Sequence, residues 1–591
     1  MNLLRLFTCL TALALCGAPL PGFATPAKDE ITLEEALETN AFAPEYRDKI
    51  PCAKDKVIGK WSWATAEKDP ALDDLPHPHK PCTDDAKINA WIAKIDDILK
   101  GDPKRTKAAR MAEIFPGVPE GEVDLIERAV EIDPAVGGWH SLGLYAPPGA
   151  KITVTVKGKA KFDMDLRIGC HTDFITKGHL EKNHDNKQKR PPKMTNAIRI
   201  KAGEKKAELA NPFGGLIYLD VKGVHPKHKP VRVEISGGIA SPLFVLGHKD
   251  DKGVDIAVVK QEEWQKQLAE YKAPWGEIAV PRLIFTVPAE HLRLLKIPRR
   301  LCKNLQRGMA VQDWLIGWDK YPENVATPMR FVIDEQISVG YGHSGYPAMG
   351  YMDWGNCIKS GMLVKQGSWG LWHELGHNHQ WAPFRFDGCG EVTVNLFSTI
   401  SQTQAIGTSY EQAWDGTSIA PEDMKESIHA FLTKSNKTSF DAEEDVRLKL
   451  YFFVELMRGL GYDSFRKVAL RHHEEQPFNN ETTNRDRWDF FLVALSEATG
   501  KNLVPYFERW KIDLSEKAKN KVRSKFRGEA KIWTPCKGYP RRLPTYEAEK
   551  AALAAEKEAE RQALIEKRKK EKEEQEKLER RERAKKILEQ H

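Results

Sequence analysis

A short histidine-containing motif carries the clearest chemistry of this chain. His373, Glu374 and His377 form the pattern H-E-x-x-H. Residues four apart lie on one face of a helix, so both imidazoles can bind one metal ion while Glu374 reaches a water molecule beside it. Glu391 follows in a second helix-forming segment and can supply a third ligand. Two histidines, a carboxylate and an open position are typical of catalytic zinc, which predicts a zinc hydrolase of peptide bonds with Glu374 as general base.

Two residues near the motif can support its ligands. Asn395 follows Glu391 by one helical turn and can orient a ligand. His379 lies two positions past His377, which points it away from the metal-binding face of the helix. We therefore expect His379 to support or pack against the site rather than to bind the ion.

Other residues suggest weaker alternatives for the site. Asp387 is a rival third ligand, but the residues after Glu391 fit a helix better. A metzincin site is disfavoured, because its third histidine would fall at the position of Pro383. The glycine-rich, aromatic loop 341–347 could shape the substrate cleft. By residue type alone, the candidate donors to an oxyanion are Tyr410, Tyr451, His472 and His473.

The first residues have the pattern of a secretion signal. Arg5 precedes an apolar run over residues 6–15, and small residues follow up to Ala24. The run is too short to span a membrane, and no later segment is apolar over about eighteen residues. We therefore predict a signal peptide at 1–24 and a secreted chain without a transmembrane span.

The cysteines fit an exported protein but do not define its disulfides. The chain has nine cysteines, of which Cys9 and Cys16 lie in the leader. Export makes disulfides possible, although sequence alone leaves the pairing open. The two candidate pairs are Cys52 with Cys82 and Cys357 with Cys389.

The net charge of +7 is small for 591 residues and is spread along the chain. It permits attraction to acidic surfaces. No zinc finger, recognition helix or aromatic RNA-binding motif accompanies it, so we predict no nucleic-acid partner. The last residues alternate Glu with Lys and Arg at helical spacing without a sustained leucine heptad, which favours a solvated helix over a stable coiled coil.

The hydrophobic pattern divides the chain into regions. Residues 86–99 have helical periodicity, whereas short alternating segments between 151 and 235 are typical of a β-sandwich. Helical patterns and tryptophans dominate from Pro242 onward. The predicted regions are a signal peptide (1–24), a helical N-terminal region (25–133), a β-sandwich domain (134–240), a catalytic domain (241–515), a linker (516–545) and a charged helical tail (546–591).

Several blocks of the sequence resemble one peptidase family. Residues 370–380 contain H-E-x-G-H, and residues 390–396 contain the following glutamate. Together they resemble the enhancin-like, mucin-degrading zinc metallopeptidases of family M60. The further blocks that agree are 143–149, 211–218 and 273–277. The likeness extends from about residue 110 to residue 515.

The resemblance implies a multidomain α+β protein in which a β-sandwich precedes a mostly helical, gluzincin-like zinc metallopeptidase domain. It also implies that His373, His377 and Glu391 hold one Zn²⁺ ion. The expected substrate is an O-glycosylated protein such as a mucin, cut beside a glycosylated residue. Two other functions remain open: a mucin-binding adhesin with an inert metal site, which would not need Glu374, and a general zinc aminopeptidase.

Overall fold

The computed structural model describes residues 55–66, 68, 72, 84–176, 178–179, 187–249, 255–257, 259–359, 367–408, 413, 421–433, 439–535, 562 and 566. The described residues up to Thr534 belong to one compact unit. Of the second unit only Pro535, Gln562 and Glu566 are described, and the last two are helical. The predicted signal peptide, Cys52, Cys82, Tyr410 and nearly all of the predicted tail helix lie outside the described residues.

The N-terminal part of the first unit is a β domain. Its strands are β1 (Lys56–Trp61), β2 (Val123–Ile132), β3 (Gly138–Ala146), β4 (Ile152–Lys157), β5 (Met164–Ile168), β6 (Asn196–Ile200), β7 (Lys206–Leu209), β8 (Gly215–Val221) and β9 (Val231–Ala240). They pair in the order β1-β2-β9-β3-β8-β5-β6, and β4 joins β9 to β7. Strands on both sides of β9 contribute to one apolar core. Of the β-sandwich predicted at 134–240, the confirmed part is a β-rich domain ahead of the motif, and its strands begin earlier, at β1 and β2.

The prediction of a helical region at 25–133 is wrong for two segments. Helix α1 (Asp85–Lys100) is present, but β1 and β2 are strands of the β domain. Along β2, buried residues alternate with more exposed ones. The charged residues at the more exposed positions made the segment look helical in the sequence. In the structure they lie on the solvent-facing side of an antiparallel sheet.

The motif-bearing domain, which follows β9, begins with a second sheet, which the prediction of a mostly helical domain missed. Its strands are β10 (Leu243–Lys249), β11 (Asp255–Ala257), β12 (Trp275–Val280), β13 (Leu283–Pro288), β14 (Met329–Asp334), β15 (Gly342–His343) and β16 (Ala348–Tyr351). Their order is β11-β10-β12-β13-β14-β16-β15, with parallel and antiparallel pairs mixed. Strands β12, β13 and β14 are buried at every position, so they lack the alternation that marks a half-exposed strand.

Helices pack on this sheet and continue beyond it. They are α2 (Gln261–Glu270), α3 (Ala289–Arg293), α4 (Arg299–Leu315), α5 (Asn356–Lys359), α6 (Trp369–His379), α7 (Gly390–Ile400), α8 (Pro421–Thr433), α9 (Val446–Leu460), α10 (Tyr462–Glu475), α11 (Asn484–Thr499), α12 (Val504–Arg509) and α13 (Glu516–Lys525). The predicted linker at 516–545 begins inside this domain, because Ala518, Val522 and Trp533 are buried in the helical core. Among the described helices, none is both long and apolar enough to cross a membrane.

One predicted disulfide is also wrong. Cys389 is a free, buried thiol, so it does not pair with Cys357. Burial raises the pKa of the Cys389 thiol to about 12, which leaves it protonated and unreactive near neutral pH.

Candidate metal centre

Helices α6 and α7 bring the predicted ligands together. His373 Nε2 lies 3.1 Å from Glu391 Oε2, and His377 Nε2 lies 3.5 Å from Glu391 Oε1. One donor atom from each of these three residues lies within 4.8 Å of the others. The side chain of Glu391 is exposed, so the cluster opens toward solvent. This is the arrangement that H-E-x-x-H and the later glutamate predict.

Local sequence sets the helix that carries both histidines. The Ser368 side chain accepts a hydrogen bond from the backbone N–H of Leu371 and caps the start of α6. Gly376 allows α6 to approach α7, since a Cβ at this position would lie 2.8 Å from the Cβ of Phe397. The glycine of the motif is therefore needed for the close contact between the two ligand-bearing helices.

The outward-facing nitrogens of both histidines are held by amide oxygens. His373 Nδ1 lies 2.8 Å from Asn395 Oδ1, and His377 Nδ1 lies 3.0 Å from Gln380 Oε1. Each oxygen can only accept, so each histidine keeps a proton on Nδ1, and Nε2, which faces Glu391, is the nitrogen left to bind a metal ion when the ring is neutral. This is the tautomer that metal ligation through Nε2 requires.

Asn395 and Gln380 are themselves fixed. The Asn395 oxygen also accepts from Trp369 Nε1 at 3.0 Å. The Gln380 amide donates to the Gly390 carbonyl at 2.7 Å and to Thr393 Oγ1 at 2.6 Å, which ties the end of α6 to the start of α7. The sequence indicated Asn395 but missed Gln380, whose position one turn after His377 was the available signal.

We expect Asn395→Ala to weaken zinc binding by about 10- to 100-fold, because His373 would lose the acceptor that fixes its tautomer. Titration against a competing zinc chelator measures this directly. Asn356→Ala, at the exposed start of α5, is the matched control. Unchanged zinc affinity in Asn395→Ala would contradict an orienting role.

Glu374 lies beside the cluster and faces β15. A Cβ at Gly342 would lie 3.1 Å from Glu374 Cγ, so the strand and the carboxylate side chain are in close contact. Burial raises the pKa of Glu374, an effect that the neighbouring His373 and His377 oppose. Hydrogen bonds from the same two histidines lower the pKa of Glu391 well below its usual range. The two carboxylates are therefore electrostatically different: burial favours the protonated form of Glu374, and the two histidines favour the anionic form of Glu391.

The other predicted residues lie in separate surroundings. His379 is fully buried, and its Nε2 lies 2.9 Å from Asp313 Oδ1 on α4, so it anchors α6 rather than touching the ligands. His473 stacks between Tyr321 and Trp381. His472 is buried among aromatic rings, and burial lowers its pKa to about 4.

Two further candidates are also placed away from the ligand cluster. Tyr451 packs against Trp510 in the helical core. Asp387 lies in the turn before α7, where its backbone N–H donates to Asn484. The ligand cluster contains Glu391 rather than Asp387, as the sequence favoured.

The donor set fits a zinc ion. Two imidazole nitrogens and one carboxylate converge on an open position, and each imidazole is oriented by an amide oxygen on its far side. Magnesium and calcium prefer oxygen donors, whereas imidazole nitrogens suit zinc and other transition metals.

Comparison with known sequences agrees with this geometry. Residues 237–511 match the profile described as peptidase M60, enhancin and enhancin-like. Residues 123–236 match the N-terminal domain of M60-like peptidases. Residues 123–511 belong to the M60 peptidase family. The boundary between the two profiles falls within β9, which separates the β domain from the part of this M60 chain that carries the metal centre.

Curated relatives of this M60 chain include vertebrate proteins. It is 31% identical over 387 residues to TRPM8 channel-associated factor 3 of Rattus norvegicus and 30% identical over 381 residues to TRPM8 channel-associated factor 2 of Homo sapiens. In both cases the match covers 63% of this chain but only 38% of the relative. The chain thus spans under half the length of these relatives.

Solved structures share the fold. The IMPa metallopeptidase from Pseudomonas aeruginosa aligns with a TM-score of 0.52 and 16% identity, covering 73% of this chain and 53% of IMPa. A conserved Bacillus anthracis protein of unknown function aligns with a TM-score of 0.53 and 18% identity, covering 71% of this chain and 84% of that protein. IMPa has also been solved in complex with an O-glycopeptide. At these identities the likeness concerns the fold alone.

Proposed function

We propose that this chain is a secreted zinc metallopeptidase that hydrolyses peptide bonds in O-glycosylated proteins such as mucins. The observation that carries the proposal is the convergence of His373, His377 and Glu391 beside an intact Glu374. A metal site used only for structure or binding would not need a further carboxylate placed beside its ligands.

Different residues of the chain would bind the ion and transfer the proton. His373, His377 and Glu391 would hold the ion, and zinc would supply Lewis-acid activation of water and of the scissile carbonyl. Glu374 accepts the proton of the attacking water and later delivers it to the leaving amine.

The edge of the second sheet can align the substrate. β15 is the last strand in its order, and it contacts Glu374 through Gly342. An extended peptide can pair with such an edge through its main chain. The scissile bond would then lie between β15 and the ligand cluster.

A glycoprotein substrate for this chain is supported by the family match and by solved structures that share the fold. IMPa, which shares the fold, has been solved with an O-glycopeptide and with T-antigen. We transfer this substrate class to the present chain as a proposal, because a fold shared at this identity does not fix specificity.

The test compares one mucin-type O-glycoprotein before and after enzymatic removal of its O-glycans. We expect zinc-loaded wild-type chain to cleave the glycosylated form at least about tenfold faster, since loss of a recognised group costs one to a few kcal/mol. A chelator should abolish cleavage, and added zinc should restore it. Mass spectrometry of the products locates the cut.

The alternatives predict different outcomes. Equal cleavage of both substrates, or release of single N-terminal residues, would favour a general zinc aminopeptidase. Binding of the glycoprotein without any cleavage would favour an adhesin with an inert metal site. Either result would overturn the proposed specificity or activity.

A further inference from the structure

The loop 334–346 connects the β domain to the metal centre. It begins at Asp334, the end of β14, includes β15 and ends at Tyr346. Buried Arg190 of the β domain donates from Nε to Asp334 Oδ1 at 2.9 Å and to the Gln336 carbonyl at 3.0 Å. The Gln336 side chain accepts from the backbone N–H of Lys189 at 2.9 Å. The start of the loop is therefore held by the β domain.

Asp173 holds the middle of the same loop. It follows β5 in the β domain, and its Oδ2 accepts from the backbone N–H of Ser338 at 2.6 Å. The same oxygen lies 2.8 Å from His343 Nε2. One carboxylate thus bridges the two sides of the segment that leads into β15. Arg190 Nη2 donates to the Asp173 carbonyl at 3.1 Å, so Asp173 is itself fixed.

The hydrogen-bond partners of His343 indicate a charged imidazolium. Nε2 faces the Asp173 carboxylate, and Nδ1 lies 2.8 Å from the Ser344 carbonyl oxygen. Both partners accept, so both ring nitrogens donate. Although burial disfavours the charge, Asp173 raises the pKa of His343, and the pKa of Asp173 falls to about 2. The pair is only slightly exposed, at 18% for His343 and 11% for Asp173.

The far end of the loop is attached to the ligand helix. Asn378 of α6, next to His377, accepts from the Gly345 backbone N–H at 3.0 Å and donates to the Gly345 carbonyl at 2.9 Å. Gly342 lies against Glu374, where no side chain would fit without displacement. A shift of β15 would therefore be transmitted directly to the general base.

We propose that Asp173, through its ion pair with His343, is a positioning residue of the peptidase site, although it belongs to the β domain. This proposal rests on the proposed peptidase function. It makes the β domain a part of the active-site architecture rather than a separate attachment module. In its absence, the loop would lose its anchors at Ser338 and at His343, and β15, which contacts Glu374, would be held less firmly.

The test is Asp173→Asn, which keeps the shape of the side chain and removes its charge. We expect kcat/KM to fall by about 10- to 100-fold, because small misplacements of reacting groups lower the rate by such factors. Most of the loss should appear in kcat, and the zinc content should be unchanged. The matched control is Asp163→Asn, an aspartate of the same domain that binds Ala202 and Arg199 on the surface.

A pH profile separates this role from a purely structural one. The charged groups that face His343 are Asp173 from the β domain and Glu374 from α6. Without the Asp173 charge, burial should bring the pKa of His343 below its ordinary value of about 6.5. Activity of Asp173→Asn should then decline as pH rises through this lowered pKa, whereas the wild-type chain keeps the charge and shows no decline there.

Hydrogen–deuterium exchange provides a readout that does not depend on activity. We expect faster exchange over residues 336–346 in Asp173→Asn and no change in Asp163→Asn. Unchanged exchange, or faster exchange with wild-type kcat/KM and pH profile, would overturn the proposal. An inactive wild-type chain would instead overturn the proposed function, and exchange would still decide whether Asp173 holds the loop.

Discussion

Replacing Glu374 with glutamine is expected to lower kcat by about 10²- to 10⁴-fold, the usual contribution of general acid–base catalysis. Glutamine keeps the contact with Gly342 but cannot accept a proton from water. Because the ligand donors are unchanged, zinc content and the unfolding temperature should remain those of the wild-type chain. The measurement is initial cleavage rate on the O-glycoprotein, alongside metal analysis and thermal unfolding.

Two further variants distinguish loss of the general base from loss of the metal ion. His377→Ala removes a ligand, so it should lose zinc and activity together, whereas Glu374→Gln should lose activity alone. Glu262→Gln changes an exposed glutamate on α2 and should behave as wild type. Near-normal cleavage by Glu374→Gln would show that another group is the general base. Loss of zinc from that variant would show that Glu374 supports the ligands instead.

The ligand set could be predicted from sequence because its geometry is local. The pitch of one helix places His373 and His377 on the same face. Only the position of Glu391 depends on how a second helix packs. The apolar residues after Glu391 favoured a buried helix at this place. Asn395 was predictable for the same reason, since it lies on the same helix as Glu391.

The residues that support the site from a distance could not be predicted in this way. Asp173 and His343 are separated by 170 positions in sequence and meet only because the β domain packs beside β14. The same limit applies to β12–β14, whose burial on both faces removes the alternation on which strand prediction depends. Long-range pairing, rather than local preference, decides these features.

A buried ion pair links the core of the motif-bearing domain to helix α6. Arg282, which follows β12, donates from Nε to Asp313 Oδ2 at 2.8 Å and from Nη2 to Asp313 Oδ1 at 3.0 Å. Asp313 Oδ1 also faces His379 Nε2 at the end of α6. Arg282 and Asp313 are almost completely buried. The Arg282 guanidinium keeps the pKa of Asp313 below its usual value despite burial.

Asp313→Ala is therefore expected to destabilise the motif-bearing domain by about 3–5 kcal/mol, since it leaves the Arg282 guanidinium buried without its carboxylate partner. Chemical unfolding measures the change. The control is Asp513→Ala, which breaks an exposed pair with Arg485 and should cost about 1 kcal/mol or less. Similar losses of unfolding free energy in both variants would show that the buried pair contributes no more than the exposed one.

Asp313 also holds His379, so the folded protein that remains in Asp313→Ala should bind zinc more weakly. A loss of stability with normal zinc affinity would show that α6 is positioned by its apolar contacts alone.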